Sequence, residues 1–231
     1  MTSDSEGYTD RESVATQAST LRERKRRALR RRLSDTATAM FLERGFDNVR
    51  VSDVATACDV STKTVWNHFA TKESLLFDRG EALAETLRLA AQQRGDVIAS
   101  VVAQIHVEVE QLDRTELARF AYDGDSLRMV HAFTELVQSH PALRAATAER
   151  VEALTSLGAK AVAAQWNSNE DAPQARIAGS ALITLWQVHL TALLRLSDTD
   201  APRDEVRSSV LQDVNAAETV VRRVIGVLEP R

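Results

Sequence analysis

Between Val51 and Phe77 the chain reads VSDVATACDVSTKTVWNHFATKESLLF. Two short apolar-periodic pieces flank a break at Asp59-Val60-Ser61, and the second carries Lys63, Thr64, Trp66, Asn67 and His68 along one face. Hydrogen-bonding side chains gathered on a short helix beside a tight turn suit the edges of nucleic-acid bases. Two short helices joined by such a turn make a helix-turn-helix, whose second helix enters the major groove. Phosphate contacts position such a helix, and one to three side chains read bases. Catalytic patterns do not compete with this reading. The sequence has no nucleophile elbow with a Ser-His-Asp order, no Gly-rich phosphate loop and no metal-ligand spacing. No enzyme activity, cofactor or metal is expected.

The flanking sequence supplies the elements that would hold this face. Residues 1–20 are polar, with many Ser, Thr, Asp and Glu, and read as a disordered tail. Thr20 followed by Glu23 matches a capping box, so a first helix is predicted from about Leu21. Leu29, Leu33, Ala37, Met40 and Phe41 follow helical spacing toward a core, and Gly45 fits a C-terminal stop. Val51, Val54, Ala55 and Cys58 line the inner face of a second helix. Ser61 is the expected N-cap of a third, over 62–68, with Val65 and Phe69 inward. Thr71 is expected to cap a fourth helix over 72–93. Five more helices are read at 96–112, 115–139 (kinked near Gly124), 141–166, 172–196 and 204–228. The fold class is therefore all-α: a helix-turn-helix unit over 21–71, then a helical effector-binding and dimerisation body over 72–231, about nine helices in all.

Bulk composition agrees. The chain has 231 residues with eight Gly and four Pro. The prolines, at 141, 173, 202 and 230, are spaced as punctuation between helices. The single cysteine, Cys58, excludes an internal disulfide and fits a reduced, cytoplasmic setting. No signal peptide is visible. The apolar run Ala181–Leu196, interrupted by Gln187 and His189, reads as too short and polar to span a membrane. Net charge is −4, but residues 22–80 balance at +5 and residues 81–231 at −6. Eight basic residues lie between Arg22 and Arg32. That asymmetry suggests a basic contact module on an acidic body.

The stretch AMFLERGFDNVRVSDVATACDVSTKTVWNHFATKESLL resembles the DNA-binding domain of the TetR family of bacterial transcriptional regulators. Phe41, Gly45-Phe46, Val54-Ala55, Val60-Ser61, Thr64-Val65, Trp66, His68-Phe69 and Lys72-Glu73 carry the likeness, which covers about residues 25–77. The resemblance implies a homodimer reading a palindromic double-stranded DNA operator, with a C-terminal domain that dimerises and often binds a small ligand. It places Ser61, Thr62, Lys63, Thr64, Trp66, Asn67 and His68 at the DNA, and Lys72 on a phosphate at the start of the fourth helix. Three positions depart from the pattern. Asp59 stands where the turn usually has Gly, Trp66 where Tyr is frequent, and Arg50 where Thr or Ser opens the second helix. Arg50 could itself reach a phosphate.

In the C-terminal body, His106, Phe120, Phe133, Trp166, Trp186 and His189 are the candidate lining of a site for a small apolar or amphipathic effector. A single His or Trp on an apolar helix face is more often packed than ligating, and His106, His131 and His189 fall on separate helices. Two stripes on the last helices, one through Ile177, Ala181, Leu185 and Val188 and one through Val210, Val214, Ala217, Val221, Val224 and Leu228, are the expected dimer interface. The implied activity is that of a repressor released from DNA by its effector. An activator, or an adaptor that keeps the fold without an operator, is the alternative.

Overall fold

The computed structural model describes residues 6–110, 126–196 and 201–230, and every regular element among them is helical. Helix α1 spans Glu6–Arg44, α2 Val51–Ala57 and α3 Thr62–His68. A 3-10 turn follows at Glu73–Leu76, then α4 at Arg79–Gln93 and α5 at Val97–Glu110. Helices α6 (Ser126–Ser139), α7 (Pro141–Trp166), α8 (Pro173–Leu196) and α9 (Arg203–Leu228) complete the body.

Two helix starts differ from expectation. Helix α1 begins at Glu6, inside the segment expected to be disordered. Between Tyr8 and Arg44 the sequence has neither Gly nor Pro, so the Thr20 signal meets no break that it could cap. The fourth helix begins at Arg79 rather than 72. Thr71 and Ser74 cap each other, the Ser74 amide donating to Thr71 Oγ1 and the Thr71 amide to Ser74 Oγ, both at 3.2 Å. The Leu75 carbonyl then accepts from the buried Ser34 hydroxyl at 2.6 Å instead of continuing a helical ladder. The predicted helix over 115–139 is seen from Ser126 on; its first part and Gly124 lie outside the described residues.

Helix ends follow local chemistry. Gly45 takes φ +84° and its amide donates to Phe41 O, closing α1. Pro141 sits in the first turn of α7, Pro173 opens α8 and Pro202 caps α9, where an absent amide costs nothing. Asn167 ends α7 with a left-handed φ of +53°, and the Ser168 amide returns to Ala163 O.

Two main cores result. The first gathers Leu33, Phe41, Phe46, Val54, Val65, Phe69 and Leu75 from α1 to the 3-10 turn, and also takes Val137 from α6 and Leu143 from α7. The second fills the body between α4, α5, α7, α8 and α9, with Leu87, Val101, Leu154, Leu182, Leu185, Val210 and Val214 at its centre. Helices α7 and α8 cross closely at Gly158 and Gly179. The run Ala181–Leu196, expected to be too short and polar for a membrane span, is the C-terminal two thirds of a 24-residue helix that is long and apolar enough to cross one. Its Ala178, Leu182, Leu185 and Leu193 are buried in the core, so packing inside the protein accounts for its apolar character.

Candidate nucleic-acid interface

Helix α3 is anchored from below and from both ends. Val65 is fully buried on it and Phe69, just beyond, is nearly so. Ser61 caps the N-terminus, its Oγ accepting from the Thr64 amide at 3.1 Å and contacting Thr64 Oγ1 at 2.9 Å. The turn before it depends on Asp59, which takes a left-handed φ of +50°. The Val60 amide then reaches back to Ala55 O at 3.0 Å, closing α2. Asp thus occupies the conformation for which Gly is favoured. Arg50 does stand at the N-cap of α2, and its own amide donates to Asp53 Oδ2 at 2.8 Å. Asp53 therefore supplies the acceptor for the helix start, and the Arg50 side chain is exposed.

These anchors leave one outward face. Ser61, Lys63, Trp66 and Asn67 are exposed, and Thr62, Thr64 and His68 are half-buried beside them. Trp66 is 46% exposed, too large an apolar surface for a packed core residue. Lys72 does not join this face. Its ammonium donates to Phe46 O and lies 4.2 Å from the Phe46 ring centroid and 5.5 Å from that of Phe41. Nor does it begin a fourth helix, so the helix-terminus argument for a phosphate there falls away.

The basic run of α1 divides into two sets. Arg22, Arg24, Lys25 and Arg31 are exposed. Arg30, half-buried, and Arg32, exposed but with its guanidinium laid back on the protein, reach helix ends. Arg32 Nη2 donates to Cys58 O at 2.5 Å, at the C-terminus of α2. Arg30 donates to His68 O, at the C-terminus of α3, and to Asp78 Oδ1 at 2.6 Å. Cations there satisfy free carbonyls and complement the helix dipole. Cys58 is buried, its thiol 3.3 Å from Thr36 Oγ1. Partial burial, followed by the positive charges of Arg30 and Arg26, holds the His68 imidazole below its ordinary pKa, against the opposing pull of Asp78.

The effector candidates in the body do not converge as a set. Trp186 and His189 meet, with ring centroids 5.6 Å apart. Both address Glu108 of α5: Trp186 Nε1 donates to its Oε2 at 3.1 Å, and His189 Nε2 lies 3.2 Å from the same oxygen. Gln104 donates to the other oxygen at 2.9 Å. Glu108 and Gln104 have no sequence signal beyond being polar residues on an apolar helix. His106 is half-buried on α5, and Trp166 packs at the far end of α7. Phe133 packs on the N-terminal core, not on the body core. Phe120 lies outside the described residues.

The dimer stripes are partly corrected. Leu185, Val210, Val214 and Val221 are buried in the chain's own core, because α8 and α9 pack against each other on those faces. Ala181 and Ala217 are half-buried and Ile177 is exposed. The outward apolar residues of α9 are Val220, Val224 and Val227, of which only Val224 belongs to the expected stripe. Their spacing of four and three residues was present in the sequence but overlaps the inward stripe.

The family described as bacterial regulatory proteins, tetR family, matches residues 33–78. The HTH-type transcriptional regulator TcmR of Streptomyces glaucescens is 34% identical over 74 residues, which is 32% of this chain and 33% of that protein. The match thus spans about a third of the curated relative's length. Among solved structures, Thermus thermophilus FadR, a TetR-family repressor in complex with lauroyl-CoA, aligns over 81% of this chain and 92% of its own with 22% identity and a TM-score of 0.44. A tetR-family regulator from Streptomyces coelicolor aligns over 87% and 86%, with 19% identity and a TM-score of 0.38. The likeness to the tetR family of bacterial regulatory proteins is thus carried by the N-terminal helix-turn-helix unit, residues 33–78.

Proposed function

We propose that the chain is a dimeric transcriptional regulator that reads a palindromic operator with α3 and is released from it by a small effector, as a repressor. The observation that carries this is the face of α3. Lys63, Trp66 and Asn67 point outward from a helix whose opposite side is locked by Val65 and by the Ser61 cap. Exposed side chains on a rigid helix suit base reading, because little ordering remains to be done on binding. The exposed basic residues of α1 supply phosphate contacts and a salt-dependent component. A second copy would cover Ile177, Val220, Val224 and Val227, which are more apolar than a lone surface requires. The effector would be apolar or amphipathic and bind in the aliphatic body. It shifts the DNA-binding equilibrium only by its differential affinity for two arrangements of the dimer.

The test is a titration against the DNA upstream of the chain's own gene at two salt concentrations, with scrambled DNA as control. A preference of ~10³-fold or more for the upstream DNA is expected. Equal, steeply salt-dependent binding to both would leave only the basic arm engaged and refute operator recognition there. In the same assay Lys63→Ala should weaken operator binding by ~1–3 kcal/mol and relax preference at one base pair per half-site. An equal loss on both DNAs would make Lys63 a phosphate contact instead.

A further inference from the structure

The Arg30 guanidinium holds three partners at once. It donates to His68 O at the end of α3, it donates to Asp78 Oδ1 at 2.6 Å, and it lies 4.2 Å from the centroid of the Phe69 ring. Asp78 is the N-cap residue of α4. One planar side chain thus joins the last carbonyl of α3 to the N-cap residue of the helix that leads into the body. Both members of the ion pair are mostly shielded, with side chains 27% and 17% exposed. Such a pair is stiffer than a surface contact, because a planar fork with two fixed donors and a stacked face leaves few alternative geometries. The first turn of α4 is held from the other side as well. Glu81 lies 3.4 Å from Arg150 Nη2 of α7, and Gly80 leaves room for that guanidinium, since a Cβ there would stand 2.9 Å from Arg150 Nε.

We infer that Arg30 is a positioning residue for DNA recognition: it clamps the C-terminal end of α3 to Asp78, so that a displacement of α4 is carried to the recognition helix. This rests on the reading of α3 as the helix that meets DNA. It also sets Arg30 apart from its basic neighbours, since it acts through His68 and Phe69 and touches no phosphate. The charge of Asp78 sharpens the distinction. If charge alone mattered, removing an acidic group near a polyanion would strengthen binding. If the clamp matters, the same change weakens discrimination.

The probe is a duplex selected by the wild-type chain from a random-sequence pool, with a scrambled duplex as control. Arg30→Met, Arg30→Lys and Asp78→Asn are compared after far-UV circular dichroism confirms their helix content. Each is expected to lower the ratio of selected to scrambled affinity by ~10-fold or more, as for loss of a charge-assisted hydrogen bond, with an unchanged salt slope. Lysine should not rescue, because a point ammonium cannot donate to both acceptors and lie flat on Phe69. In the free protein, NMR titration of the His68 imidazole should show opposed shifts. Its pKa rises in Arg30→Met, which removes a nearby positive charge, and falls further in Asp78→Asn. Tighter binding of Asp78→Asn to both duplexes would overturn the inference. So would an equal loss of Arg30→Met on both with a slope shallower by ~1, the mark of a phosphate contact. A pool that enriches nothing would overturn the DNA-recognition reading and this inference with it. That outcome differs from failure of the clamp alone, in which the pool enriches and the variants bind the selected duplex as tightly as wild type.

Discussion

Replacing Gly179 with alanine should loosen the body of the protein, although alanine is the better helix former. A Cβ at Gly179 would stand 2.5 Å from Ala159 N and 2.6 Å from Thr155 O, both backbone atoms of α7. Backbone cannot rotate away as a side chain tip can, so α7 and α8 must separate by roughly 1 Å to restore ordinary contact. A gap of that size forfeits about a quarter to a half of the dispersion energy of each affected contact. Overpacking of this kind costs ~1–3 kcal/mol, and the backbone-on-backbone contact argues for the upper end. Helix propensity returns ~1 kcal/mol. The net expectation is a loss of about 2 kcal/mol. Two other glycines act as controls. A Cβ at Gly158 would meet Gly179 Cα and O at 3.2 Å, a milder approach, so Gly158→Ala should fall within ~0.5 kcal/mol of wild type as crowding and propensity cancel. A Cβ at Gly226 meets nothing within 4 Å, and Gly226→Ala should gain ~0.5–1 kcal/mol. Urea unfolding followed by far-UV circular dichroism ranks the three through their midpoints at constant slope. If Gly179→Ala proved as stable as Gly226→Ala, the close crossing of α7 and α8 would be refuted.

Three further outcomes follow from the helix-turn-helix. Asp59→Gly should raise stability by ~0.5–1 kcal/mol, because the left-handed φ of +50° strains any residue with a Cβ; a loss on urea unfolding would mean that Asp59 makes a compensating contact. Ser61→Ala should cost ~1 kcal/mol by removing the acceptor for the Thr64 amide, while Ser61→Thr should retain most of it, read by the same melts. The lowered pKa of His68 has a defined sign. The folded state resists protonation there, so this contribution is complete above the ordinary histidine value of 6.5 and is lost as pH falls through the lowered folded value. His68→Gln should flatten that part of a stability-against-pH curve, and an unchanged curve would sink the assignment.

Much of the N-terminal unit was legible because its signals are local. Gly45 ends α1, Ser61 caps α3 and Asp59 bends the turn, each within four residues of the amide or carbonyl that it serves. The role of Arg30 was not legible, since His68 and Asp78 lie far along the chain and a basic run gives no sign of which members turn inward. The same limit hid the Glu108 cluster, where α5 and α8 meet only after folding. Helix α8 shows the limit of periodicity. A polar stripe through Arg176, Ser180, Thr184, Thr191 and Arg195 is exposed on it, but the expected interface stripe joined Ile177, exposed beside those residues, to Leu185, which is buried in the core. On α9 the buried stripe through Val210, Val214 and Val221 was visible, but nothing local says that it packs on the same chain rather than on a second copy.

The first core is not built from its own segment alone. Val137 and Leu143, from the junction of α6 and α7, complete it, and the His140 ring meets the Phe46 ring edge-on at 5.7 Å. This restricts portability. A fragment ending near Asp78 would carry all of α1 to α3 yet bare the apolar surface that those later residues cover. A chimera joining this N-terminal unit to another body would inherit a foreign surface at the same spot. Exchanging N-terminal units between related chains therefore calls for carrying the loop around His140 with them, or for rebuilding the patch that it shields.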